Sequence, residues 1–366
     1  MILDGIRFSR GKWVTSMAIN HKKGSNLADY LVGSPGRDLI LGLGGADSLL
    51  GDGDVSRDDG EKADLRGATD ALHGGQGNDM LWGDGRVMGG GYSAVATING
   101  GNDLLHGGAG EDTLYGDGTT GTREYARSSG IRSVRDILHA GSGNDVLFGD
   151  GHAMAGPVSE RAWMIGGADS LFAWDGNDLL YGDGIASGTI STSGYRTGGS
   201  DLLDGGKGQD TLYGDGIISA GSFGDGEMTG GRDSLHGGAG DDVLYGDGGI
   251  GTFRSFAKLI GGDDRIRGGS GNDLMVGNGW ANGGGVVIEG GNDLLDAGSG
   301  NDTIRGDGEL SAAPGHNLGT GNLAGGNDTI IAGSGADSVL GDGSMDTNGY
   351  STLVGGSGPH RGRQRR

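Results

Sequence analysis

Ten times along this chain an aspartate is followed nine residues later by a second one, at 38/47, 70/79, 103/112, 136/145, 169/178, 201/210, 233/242, 264/273, 293/302 and 328/337. Five residues beyond the second Asp stands the middle of a Gly-x-Gly triplet, occupied by Asp52, Asp84, Asp117, Asp150, Asp183, Asp215, Asp247, Asn278, Asp307 and Asp342. The spacing holds in all ten units. A slip of one residue would turn every side chain of a strand to the opposite face. A register held this strictly restricts the chain to a solenoid, in which each unit buries its apolar face only by stacking on the next.

Two residues after each Asp sits an apolar side chain. The first series is Ile40, Leu72, Leu105, Leu138, Leu171, Leu203, Leu235, Ile266, Leu295 and Ile330; the second is Leu49, Leu81, Leu114, Leu147, Leu180, Leu212, Leu244, Met275, Ile304 and Val339. Short Asp-x-apolar segments between glycine turns read as strands with one inward residue each. Stacked about 4.8 Å apart, they give two apolar ladders and a thin core. The expected fold is all-β: a right-handed parallel β-roll or β-solenoid of about ten stacked units, each 29–35 residues long.

Composition removes the other readings. Ninety of the 366 residues are glycine, which excludes long helices, because each interior Gly costs about 1 kcal/mol against Ala. Four prolines are too few for collagen, and the repeated apolar slots exclude a flexible linker. A formal net charge of −22 argues against nucleic acid as a partner, since phosphate contacts need a basic surface. With no cysteine, disulfides and thiolate metal sites drop out together. A thin core then needs another staple, and metal ions are one. No segment approaches the roughly 18 apolar residues of a membrane span.

Residues 1–25 lie outside the repeat and read as an N-terminal cap or strand carrying Phe8 and Trp13. The array runs over 26–355, and 356–366 read as a basic, disordered tail with Arg361, Arg363, Arg365 and Arg366. The stretch from Arg7 to Ile19 imitates a signal peptide only loosely, being short and broken by Thr15 and Ser16. Any export is therefore expected to proceed without a cleaved N-terminal signal. Residues 26–53 hold tight nonapeptides, with Asp29, Asp38 and Asp47 nine apart. Beyond them each unit is a constant block plus an insert of roughly 14 to 20 residues. Ser93–Ile98, Ala162–Ile165, Phe256–Ile260 and Val286–Ile288 look strand-like, and the insert reads either as a third strand or as a degenerate second coil.

The six residues ending at the second Asp include Gly-Gly-Gln-Gly-Asn-Asp (74–79), Gly-Gly-Ala-Gly-Glu-Asp (107–112), Ala-Gly-Ser-Gly-Asn-Asp (140–145), Gly-Gly-Lys-Gly-Gln-Asp (205–210), Gly-Gly-Ala-Gly-Asp-Asp (237–242) and Gly-Gly-Ser-Gly-Asn-Asp (268–273). The residue two before that Asp is Gly in every unit, from Gly45 and Gly77 to Gly300 and Gly335. This pattern resembles the Gly-Gly-x-Gly-x-Asp-x-apolar-x nonapeptide of the RTX, or haemolysin-type, calcium-binding proteins, over about residues 26–343. The resemblance implies several Ca²⁺ ions per chain, a module that folds on binding them, and a secreted or cell-surface bacterial location.

Physical chemistry agrees. Calcium takes six to eight hard oxygen ligands at 2.3–2.6 Å in irregular geometry, and glycines let backbone carbonyls turn inward. One turn offers too few oxygens, so an ion must lie between stacked turns, where it also relieves the repulsion within a column of carboxylates. The candidate metal ligands are Asp47, Asp79, Asp112, Asp145, Asp178, Asp210, Asp242, Asp273, Asp302 and Asp337 of the second column. From the first come Asp38, Asp70, Asp103, Asp169, Asp201, Asp233, Asp264, Asp293 and Asp328. The turns before the first Asp are poorer in glycine, and Ile131–Asp136 has none. Metal binding is thus expected chiefly of the second column, with the site at Asp136 defective. The Gly-Asp-Gly aspartate replaces a family glycine and either adds an oxygen ligand or favours the turn.

Two further columns follow the apolar slots: Trp82, Tyr115, Phe148, Tyr181, Tyr213 and Tyr245 after the second, and His73, His106, His139 and His236 after the first. The aromatics read as packing or as a flat platform for a glycan; the histidines read as surface residues or as a metal or pH-sensing column. There is no His-Glu-x-x-His helix and no Gly-x-Ser-x-Gly elbow, so no enzyme activity is expected. The alternative function is an adhesin, surface-layer or glycan-binding protein that meets a cell-surface glycan or protein through the inserts and the aromatic column.

Overall fold

A computed structural model describes residues 19–91, 94–123, 127–156, 161–189, 192–252, 255–312, 320–346 and 351–354. The expected cap residues Phe8 and Trp13, the signal-like stretch up to residue 18, Ser93 and the basic tail 356–366 lie outside the described residues. Among the described residues every element is a short strand, and every pairing is parallel. The strands stack into four sheets. Sheets I and II hold eleven strands each, and sheets III and IV hold ten each. The chain is thus an all-β parallel solenoid whose repeat is about 32 residues.

Each coil visits the four sheets in order. In one coil the strands are Ala71–Gln76 in sheet I, Met80–Trp82 in sheet II, Gly85–Gly89 in sheet III and Val95–Asn99 in sheet IV. The insert therefore supplies two strands, not a third strand alone or an extra coil. The first coil is smaller: Asn20 pairs with Asp38 after eighteen residues, and Tyr30–Val32 leads straight back to sheet I.

Two lobes result. In the first, the apolar ladders of sheets I and II face each other, and Ile40 through Ile304 form one continuous buried core. The fit is strict because Leu72, Leu105, Leu138 and Leu171 pair in register across consecutive coils. Each fully buried Leu contributes about 1.5–3 kcal/mol. The ladder ends at Val339, which is 46% exposed in the last coil. In the second lobe, smaller inward residues such as Val87, Ala153, Ile218 and Ile250 of sheet III meet Ile98, Ile131, Met228 and Leu259 of sheet IV. That lobe has its own core, so the insert is a built part of the coil.

Candidate metal centres

Sheet I meets sheet II at a turn that ends on the second Asp of each unit. Gly143 in this turn has φ +140° and Gly110 has φ +134°, a region closed to most side chains. The turns stack so closely that a Cβ on Gly143 would collide with the Gly110 carbonyl one coil earlier. The backbone is held by an aspartate ladder. The amide of each Asp donates to Oδ1 of its counterpart one coil later: Asp47 to Asp79 (2.7 Å), Asp79 to Asp112 (2.8 Å), Asp112 to Asp145 (2.7 Å) and so on to Asp302 and Asp337 (3.1 Å). The other oxygen, Oδ2, makes no hydrogen bond at Asp47, Asp79, Asp112, Asp145, Asp178, Asp210, Asp242, Asp273 or Asp302. All nine residues are buried.

These orphaned oxygens share their space with main-chain carbonyls. A Cβ added to Gly205 would lie 2.5 Å from Oδ2 of Asp210 and 2.7 Å from the Gly237 carbonyl of the next coil. A buried carboxylate oxygen and a carbonyl oxygen thus converge between coils, the donor set that a hard cation uses.

The first Asp column shows the same hydrogen-bond arrangement, although its turns are poorer in glycine. The amide of Asp38 donates to Asp70, Asp103 to Asp136 and Asp136 to Asp169, each at 2.7 Å. The ladder continues through Asp201, Asp233, Asp264 and Asp293 to Asp328. Oδ2 of Asp136 is buried without a hydrogen bond, as at Asp103 and Asp169. The missing glycine comes from elsewhere. In the small first coil Gly33 faces Asp38 within one turn; in the wide coils the first Gly of the Gly-Asp-Gly triplet takes that place. A Cβ on Gly116 would lie 2.5 Å from Oδ2 of Asp136 and would collide with the Gly149 carbonyl. The second lobe is therefore an insertion in the middle of the turn before the first Asp, and its two ends rebuild that turn.

Several of the Gly-Asp-Gly aspartates close the waist between the lobes. Asp84 accepts from the Gly101 amide at 3.2 Å, Asp150 from Gly167 at 3.0 Å, Asp183 from Gly199 at 3.1 Å and Asp247 from Gly262 at 2.8 Å. Each bond ties the start of an insert to its end. This role was not legible as a motif, because the partners are 15 to 17 residues apart.

Burial makes these acids hard to ionise in the absence of a cation. Desolvation pushes the carboxyls of Asp79, Asp145, Asp178 and Asp273 up to about 6, and those of Asp112 and Asp210 to about 7. In the first column, desolvation and then neighbouring carboxylates hold Asp136, Asp169 and Asp201 well above the ordinary range. Two carboxylates about 5 Å apart repel by roughly 3 kcal/mol at an effective dielectric of 20. Protons or cations must therefore neutralise the columns.

The aromatic column is a stack. Ring centroids from Trp82 through Tyr115, Phe148, Tyr181 and Tyr213 to Tyr245 are 4.8 to 5.8 Å apart, with planes within 8° of parallel. From Tyr115 to Tyr213 each ring is stacked on both faces, so these rings present edges along the column. His73, His106 and His139 stack at 4.7 Å and are half-buried, and Phe172 continues the column.

A family model, the RTX calcium-binding nonapeptide repeat (4 copies), matches residues 23–55, 67–85, 98–120, 134–153, 166–184, 195–216, 229–253, 261–279, 289–309 and 324–347. The matched segments contain both Asp columns and every Gly-x-Gly triplet, and the gaps between them fall within the inserts. No curated protein matches the chain.

Proposed function

The chain belongs to the RTX calcium-binding nonapeptide repeat family, and from that premise we propose that it binds several Ca²⁺ ions between successive coils and folds on binding them. The observation that carries this reading is the buried, unpartnered Oδ2 repeated along both Asp columns, with a carbonyl of an adjacent coil beside it at Asp47, Asp79, Asp112, Asp210, Asp242 and Asp273 and along the first column from Asp70 to Asp293. Asp47, Asp79, Asp112, Asp145, Asp178, Asp210, Asp242, Asp273 and Asp302 would hold ions at the sheet I–II turns. Asp70, Asp103, Asp136, Asp169, Asp201, Asp233, Asp264 and Asp293 would hold them at the rebuilt turns. When bound, calcium supplies the positive charge that lets these acids stay ionised while buried. The residues themselves set the register: one oxygen of each Asp fixes the next coil and the other is free for the ion.

RTX repeat proteins are typically secreted bacterial proteins, and millimolar extracellular calcium would fold this chain only after export. A metal that binds the native state alone stabilises it by mass action. In excess EGTA, far-UV circular dichroism is expected to show a disordered chain at neutral pH, and millimolar Ca²⁺ to bring up β structure. Full β signal in EGTA at neutral pH would refute the coupling. Magnesium is expected to substitute poorly, since it keeps its waters and wants strict octahedral geometry.

A further inference from the structure

Beyond the turn sites, we propose that the waist between the lobes takes up a hard divalent cation at Asp150, Asp169 and Asp183, and that Arg196 is the chain's own substitute for such a cation one coil further on. Carboxylate oxygens from these three residues lie within 4.8 Å of one another, and all three residues are buried. Oδ2 of Asp150 and Oδ2 of Asp169 make no hydrogen bond; the Asp169 oxygen also faces the rebuilt turn at Gly149, so it would bridge the turn ion and the waist ion. Hard oxygen donors at this density suit calcium or a similar ion.

Arg196 supplies the independent argument. It stands in sheet IV in register with Met164 before it and Met228 after it, in a ladder that also contains Ile98, Ile131, Leu259 and Ile288. Every other side chain of that series is apolar and turned into the second lobe. Arg196 is 3% exposed, and a buried charge is costly unless it is paired. Its guanidinium reaches the waist: Nη2 lies 3.0 Å and Nε 3.2 Å from Oδ2 of Asp183, Nη1 donates to the Gly184 carbonyl, and Nη2 to the Asp215 carbonyl at 3.4 Å. A cation has thus been built into the interval between Asp183 and Asp215.

A second interval is relieved differently. Asn278 stands where the other nine triplets have Asp, and its Nδ2 donates to Oδ2 of Asp247 at 3.1 Å. Oδ2 of Asp150 has neither kind of side-chain partner: the Arg196 guanidinium is paired with Asp183 and lowers Asp150 only through its charge, and the Ser133 hydroxyl lies beside Asp150. A dication there would bring three carboxylates and Arg196 to neutrality.

The experiment counts calcium ions per folded chain by native mass spectrometry for the wild type, Asp150→Asn and Arg196→Met. Asn278 shows that an amide is accommodated in the triplet column, and Met matches both neighbours of Arg196. The count is expected to fall by one in Asp150→Asn and to rise by one in Arg196→Met. An unchanged count in Asp150→Asn overturns the waist site, means that protons neutralise it, and leaves the turn sites standing. An unchanged or lower count in Arg196→Met overturns the substitute role. If Asp150→Asn fails to fold, a gain in Arg196→Met still supports a waist that accepts cations. A wild type that binds no calcium overturns this proposal together with the turn reading on which Asp169 depends.

Discussion

Gly116 lies against Oδ2 of Asp136 although twenty residues separate them, in the arrangement that Gly33 and Asp38 make across five. The turn before Asp136 contains no glycine, yet its carboxylate has the burial and hydrogen-bond ladder of its neighbours. Asp136→Ala and Asp145→Ala are therefore expected to raise the calcium midpoint of folding by similar factors, within about threefold of each other. Titrations followed by circular dichroism test this. A full effect at Asp145 and none at Asp136 would mean that the rebuilt turn does not hold metal.

The glycines of the turn are not equivalent. Ala140 and Ala173 occupy the station of Gly107 in the next two coils, so the fold admits a Cβ there, although on Gly107 it would lie 2.4 Å from Oδ2 of Asp112 and 2.7 Å from the Ala140 carbonyl; Gly107→Ala is expected to cost less than Gly143→Ala. Gly143→Ala forces a side chain into positive φ, roughly 1–2 kcal/mol, and drives its Cβ into the Gly110 carbonyl. Urea unfolding in saturating calcium is expected to separate the two variants clearly. Equal losses would show that the stacked turns yield more easily than their spacing implies.

Trp174 has φ +82°, at the station where Gly141 has +122° and Gly206 has +99°. The residue is 59% exposed, so little burial offsets the strained backbone. Trp174→Gly is expected to stabilise the array by about 1 kcal/mol, read as a higher unfolding temperature at fixed calcium. A drop would show that the contact with His139, at 6.5 Å between centroids, outweighs the strain.

Desolvation holds the His106 imidazole down to about 4, with His73 and His139 adding to the effect. An unfolded chain binds that proton near 6.5, so the group's contribution is present above pH 6.5 and is lost as pH falls from there toward 4. Phe172 already stands in the same column. His106→Phe, measured in saturating calcium, is expected to lose less stability than the wild type between pH 7 and 5. Parallel profiles would mean that the stacked ring admits a proton freely.

The first lobe was legible because its period is rigid: Asp, an inward aliphatic residue two places on, and glycine at fixed distance. Sheet III was not legible, because its inward station is Val87, Thr120, Ala153, Ala186, Ile218, Ile250, Ala281 and Leu310 in successive coils. With a core partner of variable size on sheet IV, that station needs only to fill space, and no periodic signal survives. The parity of the two Asp columns was hidden for another reason. The glycine that completes the first column is distant along the chain and becomes its neighbour only after the insert has closed. Arg196 carried a signal that alignment of the units would have exposed, a charge at a station otherwise held by Ile, Met and Leu.

The first coil returns to sheet I after eighteen residues, whereas the step from Asp264 to Asp293 takes 29 and that from Asp293 to Asp328 takes 35. All three land an aspartate on the same rung. Pitch along the axis and girth across it are thus separate variables: parallel pairing in the first two sheets sets the rise, and the side lobe absorbs any change of length. A coil can gain or lose residues in its excursion without its neighbours registering the change. The array behaves as a spine of fixed spacing from which ribs of different reach can be hung.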